Sequence, residues 1–156
     1  MRISAGSVVG SLLLMLLALT VAGCAGSGRG GLNGKRAEVV SAALSQVGTP
    51  YHFGGSQPGK ALDCSGLTLY AHHVAGIPIP RHSADQLRAA HPVKAKSLRP
   101  GDLVFFGSKG GVDHVGLMVD AERFVHASMS KRRVILSRLD TPYWRAHFAG
   151  AGTYLR

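Results

Sequence analysis

The hydrophobic period of this chain changes once, at Pro100-Gly101, and that change constrains the fold more than any other feature. Before it, apolar residues recur at helical spacing. Val40, Ala43, Leu44 and Val47 fall at i, i+3, i+4 and i+7, one face of a helix that Gly48 and Pro50 stop. Cys64, Leu67, Ala71 and Val74 share a second helical face, ended by Gly76, Pro78 and Pro80. Ser83-Ala-Asp-Gln86 fits a capping box and opens a short third helix that Pro92 closes. After Pro100-Gly101 the period is two, and residues 103–106, 114–119, 124–128, 134–139 and 149–155 are strand candidates. Helices followed by a run of strands predict an α+β fold with an antiparallel sheet of five or six strands.

The start of the chain has a different character. Arg2 is the only charged side chain before Arg29, and an apolar stretch from Val8 to Ala22 lies between them. At about 15 residues it falls short of the roughly 20 that span a bilayer, so it reads as an export signal rather than a transmembrane helix. It ends in Val21-Ala22-Gly23-Cys24, which resembles a bacterial lipobox. That resemblance implies cleavage before Cys24, acylation of its thiol and amine, and stable attachment through two or more acyl chains. Ala25, in place of Asp, points by the same resemblance to the outer membrane, with the protein facing the periplasm. Gly26, Gly28, Gly30, Gly31 and Gly34 make the next stretch a flexible tether. The expected organisation is a signal at 1–23, a lipid-anchored linker at 24–35 and one globular domain at 36–156.

Composition removes several alternatives. Two cysteines are too few for a disulfide scaffold or a cysteine-built zinc cluster, and 46% hydrophobic content is too high for a disordered chain. Lys and Arg number 18 against 8 Asp and Glu, a formal charge of +10 that falls by one if Arg2 is removed. The basic residues are scattered apart from Lys131-Arg132-Arg133, and no aromatic-basic platform accompanies them, so no nucleic-acid partner is expected. The charge suits attraction to anionic envelope material instead.

Cys64 carries the strongest chemical signal. Asp63 before it is a plausible N-cap, which puts the thiol in the first turn of a helix. Unpaired N–H groups and the helix dipole there favour a thiolate. A buried structural cysteine is the plain alternative. A nucleophilic thiol also needs a base and a group to orient that base. Of the eight histidines, His72 and His73 lie mid-helix, and His91 and His147 read as surface residues. His114 and His126 stand apart because each sits in an apolar strand. An odd-length turn at 120–122 would put both imidazoles on one face, diagonal to one another at roughly 7–8 Å between backbones. An even-length turn would separate them. On the residues alone, the pair reads equally as core histidines or as a site. A zinc ion on Cys64, His114 and His126 is a rival reading without supporting ligand spacing.

These residues fall within a wider pattern. Gly48-Thr-Pro-Tyr-His-Phe-Gly-Gly55, Asp63-Cys-Ser-Gly-Leu67, Pro80-Arg-His-Ser83, Pro100-Gly-Asp-Leu-Val-Phe-Phe106, Asp113-His-Val-Gly116 and Phe124-Val-His-Ala-Ser128 occur in order. Together they resemble the NlpC-type cell-wall peptidases, a papain-like cysteine peptidase family, from about Gln46 to Tyr154. The resemblance implies a nucleophile at Cys64, a base at His114 and an orienting residue at His126. It implies substrate-groove positions at Tyr51, Asp63, Ser65 and Arg81, although Tyr51 also reads as a turn aromatic and Arg81 as a surface ion-pair partner. It further implies an enzyme that needs no cofactor and hydrolyses stem peptides of peptidoglycan, at γ-D-glutamyl-diaminopimelate or D-alanyl-diaminopimelate bonds; a monomer is expected. Leu62 and Asp113 depart from the family's common Phe and Ser. A catalytically silent envelope-binding lipoprotein and a papain-like amidase or acyltransferase are the alternatives on the same fold.

Overall fold

In the computed structural model, residues 32–156 are described; the expected export signal, Cys24 and Ala25 lie outside them. Helix α1 spans Leu32–Leu44, so it begins within the stretch expected to be a tether. Only one of the five tether glycines, Gly34, falls inside it. A single helical glycine costs about 1 kcal/mol, which packing of the rest of the helix offsets.

The buried face of α1 is also rotated from the expected one. Arg36, Val39, Ala42 and Ala43 are buried, whereas Leu44 and Val47 are exposed. Arg36 sets the rotation. Its Nη1 donates to Asp102 Oδ1 at 2.8 Å and to Pro100 O at 2.7 Å, and its Nη2 donates to Leu155 O at 2.8 Å. A buried charge therefore ties α1 to the Pro100-Gly101 turn and to the end of the chain. Hydrophobic spacing alone could not show this.

A two-stranded ribbon follows, β1 (Ser56–Gln57) with β2 (Ala61–Leu62), and leads into α2, Cys64–Val74. Leu67 and Ala71 face the core as expected, but Val74 is exposed. His72 is fully buried; its Nδ1 donates to Thr68 O at 2.9 Å, and its Nε2 has no partner among the described residues. Helix α3 is Ser83–Ala89. The expected capping box does not form: His82 occupies the N-cap and makes no side-chain cap bond. Gln86 is drawn into the core instead. Its Nε2 donates to Pro80 O and Ser65 O, and its Oε1 accepts from Thr68 Oγ1 at 2.8 Å. Satisfying a buried amide outweighs a surface cap worth about 1 kcal/mol.

The strands are β3 (His91–Pro92), β4 (Leu103–Phe106), β5 (His114–Met118), β6 (Arg123–Ser128), β7 (Arg133–Arg138) and β8 (Phe148–Thr153). They form one six-stranded antiparallel sheet in the order β3-β8-β4-β5-β6-β7. A short helix α4, Pro142–His147, precedes β8 and was not anticipated, nor was β3.

The two faces of the sheet have different covers. Leu103, Phe105, Val115, Leu117, Val125 and Ala127 pack under α1 and α2, against Val39, Ala43, Leu67 and Ala71. Val104, Phe106, Met118, Phe124 and Ala151 point the other way and are covered by Trp144, Phe148, Leu139 and Leu98. Among the described residues, no helix is long and apolar enough to cross a membrane.

Candidate active site

Cys64 is the first residue of α2, and Asp63 is its N-cap, in extended conformation (φ −95°, ψ 178°). Asp63 Oδ1 accepts the Gly66 N–H at 2.7 Å. This satisfies one of the free donors of the first turn and leaves those of Cys64 and Ser65 available. Gly66 is required by space: a Cβ there would lie 2.2 Å from Gly55 O.

Asp63 is also the centre of a charged cluster. Its carboxylate receives Arg81 Nη2 at 2.7 Å, Arg81 Nη1 at 3.0 Å and Gly54 N–H at 3.0 Å. Arg81 Nη1 donates as well to Ser65 Oγ at 2.8 Å. Asp63, Ser65 and Arg81 are thus one assembly beside the thiol. Arg81 is an ion-pair partner, with 30% of its side chain still exposed. Tyr51 joins them. Burial raises the pKa of its hydroxyl, and negative charge on Cys64 and Asp63 adds to the effect.

The helix N-terminus does not by itself make Cys64 acidic. Burial dominates and pushes the thiol up from its ordinary 9.0, and the Asp63 carboxylate adds to the rise. The backbone N–H groups of Val115, Ser65 and Cys64 oppose it. The contribution of Val115 places the thiol against β5, one residue from His114. Among the described residues, no hydrogen bond joins Cys64 to an imidazole; such bonds commonly tighten only when substrate binds.

The turn between β5 and β6 has the odd length the imidazole pairing requires. Leu117 pairs with Val125 and Met118 with Phe124, and Val119 N–H donates to Arg123 O at 2.9 Å. Asp120 holds the turn by accepting the N–H groups of Glu122 and Arg123. His114 and His126 therefore share a face, and His114 Nε2 lies 2.8 Å from His126 Nδ1. Gly116 allows this face to close, since a Cβ there would strike the Phe124 ring at 2.3 Å.

Both imidazoles are held neutral. Burial lowers the pKa of His114 to about 4, against the pull of the Asp113 carboxylate. Burial and the charge of His114 lower that of His126 to about 3.

Two neighbours of the pair were not foreseen. Trp144 of α4 stacks on His114 at 5.6 Å and 20° and meets His126 edge-on at 5.0 Å. Ser137 Oγ lies 2.9 Å from His126 Nε2. The parity rule that paired the histidines also puts Ser137, opposite Phe124, on their face. Nothing in a six-residue helix announces Trp144. Among the described residues, no group of three or more His, Cys, Asp or Glu side chains is placed to hold a metal ion.

The chain is similar to known proteins in sequence and fold. The NlpC/P60 family profile matches residues 48–153. A Gamma-DL-glutamyl hydrolase of Bacillus subtilis is 39% identical over 115 residues, covering 72% of this chain and 28% of the relative. The murein DD-endopeptidase MepH of Escherichia coli is 38% identical over 113 residues, covering 69% of this chain and 42% of the relative. This chain therefore spans less than half the length of either. A crystal structure of an NlpC/P60 family protein from Bacillus cereus superposes with a TM-score of 0.73 at 31% identity, covering 78% of this chain and 40% of that one. With its papain-like α+β architecture and a family match across most of its length, the chain belongs to the NlpC/P60 family.

Proposed function

We propose that this protein is a cysteine peptidase that hydrolyses stem-peptide amide bonds of peptidoglycan, with Cys64 as nucleophile, His114 as base and His126 as its orienting partner. The observation that carries the reading is the joined imidazole pair, with His114 on the strand against which the thiol at the start of α2 is packed. The relatives support the substrate class, one being a γ-glutamyl hydrolase and another a murein endopeptidase.

The chemistry follows from the protonation states. At neutral pH the thiol is protonated and His114 is neutral. His114 Nε2 is engaged by His126, so Nδ1 is the nitrogen left to take the thiol proton. The thiolate adds to the scissile carbonyl, and the free N–H groups at the start of α2, with the Tyr51 hydroxyl, stabilise the oxyanion. The His114 imidazolium then protonates the leaving amine, giving an acyl-enzyme. His114 next activates a water that releases the second product. Asp63, Ser65 and Arg81 line the groove beside the thiol. Because Asp63 already neutralises Arg81, the groove offers peptide-directed hydrogen bonds rather than a bare positive charge.

The protein works as a monomer without a cofactor, held at the envelope by acylated Cys24 and joined to its domain by the glycine-rich stretch up to α1. The bond cut is γ-D-glutamyl-diaminopimelate or D-alanyl-diaminopimelate. Incubation with intact muropeptides followed by mass spectrometry distinguishes them by fragment mass. Cys64→Ala should fold normally and release no fragments; full activity in that variant would end the proposal. Cys24→Ser should move the protein from the membrane fraction to the soluble fraction, and unchanged membrane association would remove the anchor from the reading.

A further inference from the structure

We propose that Ser137 is a positioning residue that fixes which ring nitrogens of His126 and His114 carry protons, and so presents a bare Nδ1 of His114 to Cys64. The proposal rests on the peptidase reading above, but the proton arrangement it describes exists without substrate.

Three groups form a chain: Ser137 Oγ, 2.9 Å from His126 Nε2, and His126 Nδ1, 2.8 Å from His114 Nε2. A neutral imidazole carries one N–H and one bare nitrogen, so the choice at one link dictates the next. If Ser137 Oγ accepts, His126 carries its proton on Nε2 and its Nδ1 is bare. That Nδ1 then accepts from His114 Nε2–H, and His114 Nδ1 is left bare. If Ser137 instead donates, each proton shifts along the chain and His114 Nδ1 becomes protonated. In that state His114 could not take a proton from the thiol.

A hydroxyl can play either part, but the surroundings choose. In the second arrangement His114 Nδ1–H would meet no hydrogen-bond acceptor among the described residues, since the hydrogen bond His114 makes is through Nε2. In the first, every N–H of the pair meets a good acceptor. Burial keeps both rings neutral, so neither arrangement is masked by protonation. Ser137 reaches His126 through register: it sits opposite Phe124 on β7, with Ile135 opposite His126, and is therefore diagonal to His126 on the same face.

The test reads the ring nitrogens directly. Nitrogen-15 spectra of the histidine side chains, recorded on the full chain at neutral pH without substrate, should show Nε2 protonated and Nδ1 bare in both His114 and His126. Ser137→Ala should leave His126 in a mixture of tautomers, and Ser137→Thr should restore the single one. On muropeptides, Ser137→Ala should lower kcat about fivefold, the worth of one net hydrogen bond, with KM unchanged. A wild-type His114 protonated at Nδ1 would overturn the proposal whether or not any variant folds. So would a folded Ser137→Ala protein with unaltered ring-nitrogen shifts. Neither outcome depends on the substrate, so the proposal and the peptidase reading can fail separately.

Discussion

Two walls meet at Cys64, and they are built from opposite materials. On the helix side, Asp63 and Arg81 are charged and compensate each other, with Ser65 and the Gly54 N–H completing the cluster. On the sheet side, His114 and His126 are neutral and lie among Trp144, Phe106 and Phe124. A buried charge persists only where a partner and hydrogen bonds repay its lost hydration. The helix side supplies both, so its ion pair is held in place. On the sheet side burial outweighs the pull of the Asp113 carboxylate, so the rings remain uncharged. The thiol between them is half-buried and is not ionised at rest. The nucleophile is thus made when the proton crosses to His114, rather than stored as a thiolate.

The largest effect that separates the walls should come from the base. His114→Gln keeps the side chain polar and similar in size but removes the proton acceptor, and kcat on muropeptides should fall at least about a hundredfold. A value within a few-fold of wild type would mean that the neutral wall takes no part in catalysis. The charged wall should fail differently. Arg81→Ala leaves the Asp63 carboxylate buried without its cation. A fully buried pair broken this way loses 3–5 kcal/mol; Arg81 is partly exposed, so about 2 kcal/mol is expected in urea unfolding. Arg81→Lys restores the charge but not the planar fork, and should recover only part of the loss. If Arg81→Ala leaves stability unchanged, the cluster is not what holds the start of α2.

How much of each wall could be read from the chain differs for the same physical reason. Local rules sufficed where one short segment decides the outcome. The Asp63 cap, the helix start at Cys64 and the odd turn at 120–122 are of this kind, and the turn alone carries the His114–His126 pairing. They failed where a long-range polar contact decides. Arg36 rotates α1 because its partner, Asp102, lies far along the chain, and Gln86 leaves a local cap for acceptors on other segments. Trp144 comes from a helix too short to show a period, so the cover over the imidazoles was invisible. Ser137 was within reach of the parity argument applied to the next strand.

Acid should expose the neutral wall through stability. His114 and His126 resist protonation in the folded protein, whereas unfolded histidines accept a proton near 6.5. Between that value and about 4 the unfolded state binds more protons, so stability must fall as pH falls. His72, lowered to about 4 by burial, adds to the same window. A loss on the order of 2 kcal/mol for each of these rings from pH 7 to about 4.5 is expected in urea titrations, since one pKa unit is worth about 1.4 kcal/mol. Stability that stays flat across this range would mean the rings are already hydrated. Trp144→Ala should shrink the loss by admitting water to the two site imidazoles while leaving the share of His72 intact.

The smallest effect is the most direct statement about the resting thiol. A thiolate–imidazolium pair would give an alkylation rate that holds a plateau between the titration of the imidazole and that of the thiol. A neutral pair gives no plateau. Because burial and the Asp63 carboxylate both raise Cys64 from 9.0, its rate with iodoacetamide should be low at pH 7 and still climbing at pH 9. Asp63→Asn removes the charged contribution but keeps a capping oxygen, so the curve should shift toward lower pH. An unshifted curve would leave burial as the sole cause of the raised thiol. A plateau in the wild-type protein would show that the proton has already crossed to His114 at rest, and the contrast between the two walls would then lie in catalysis alone.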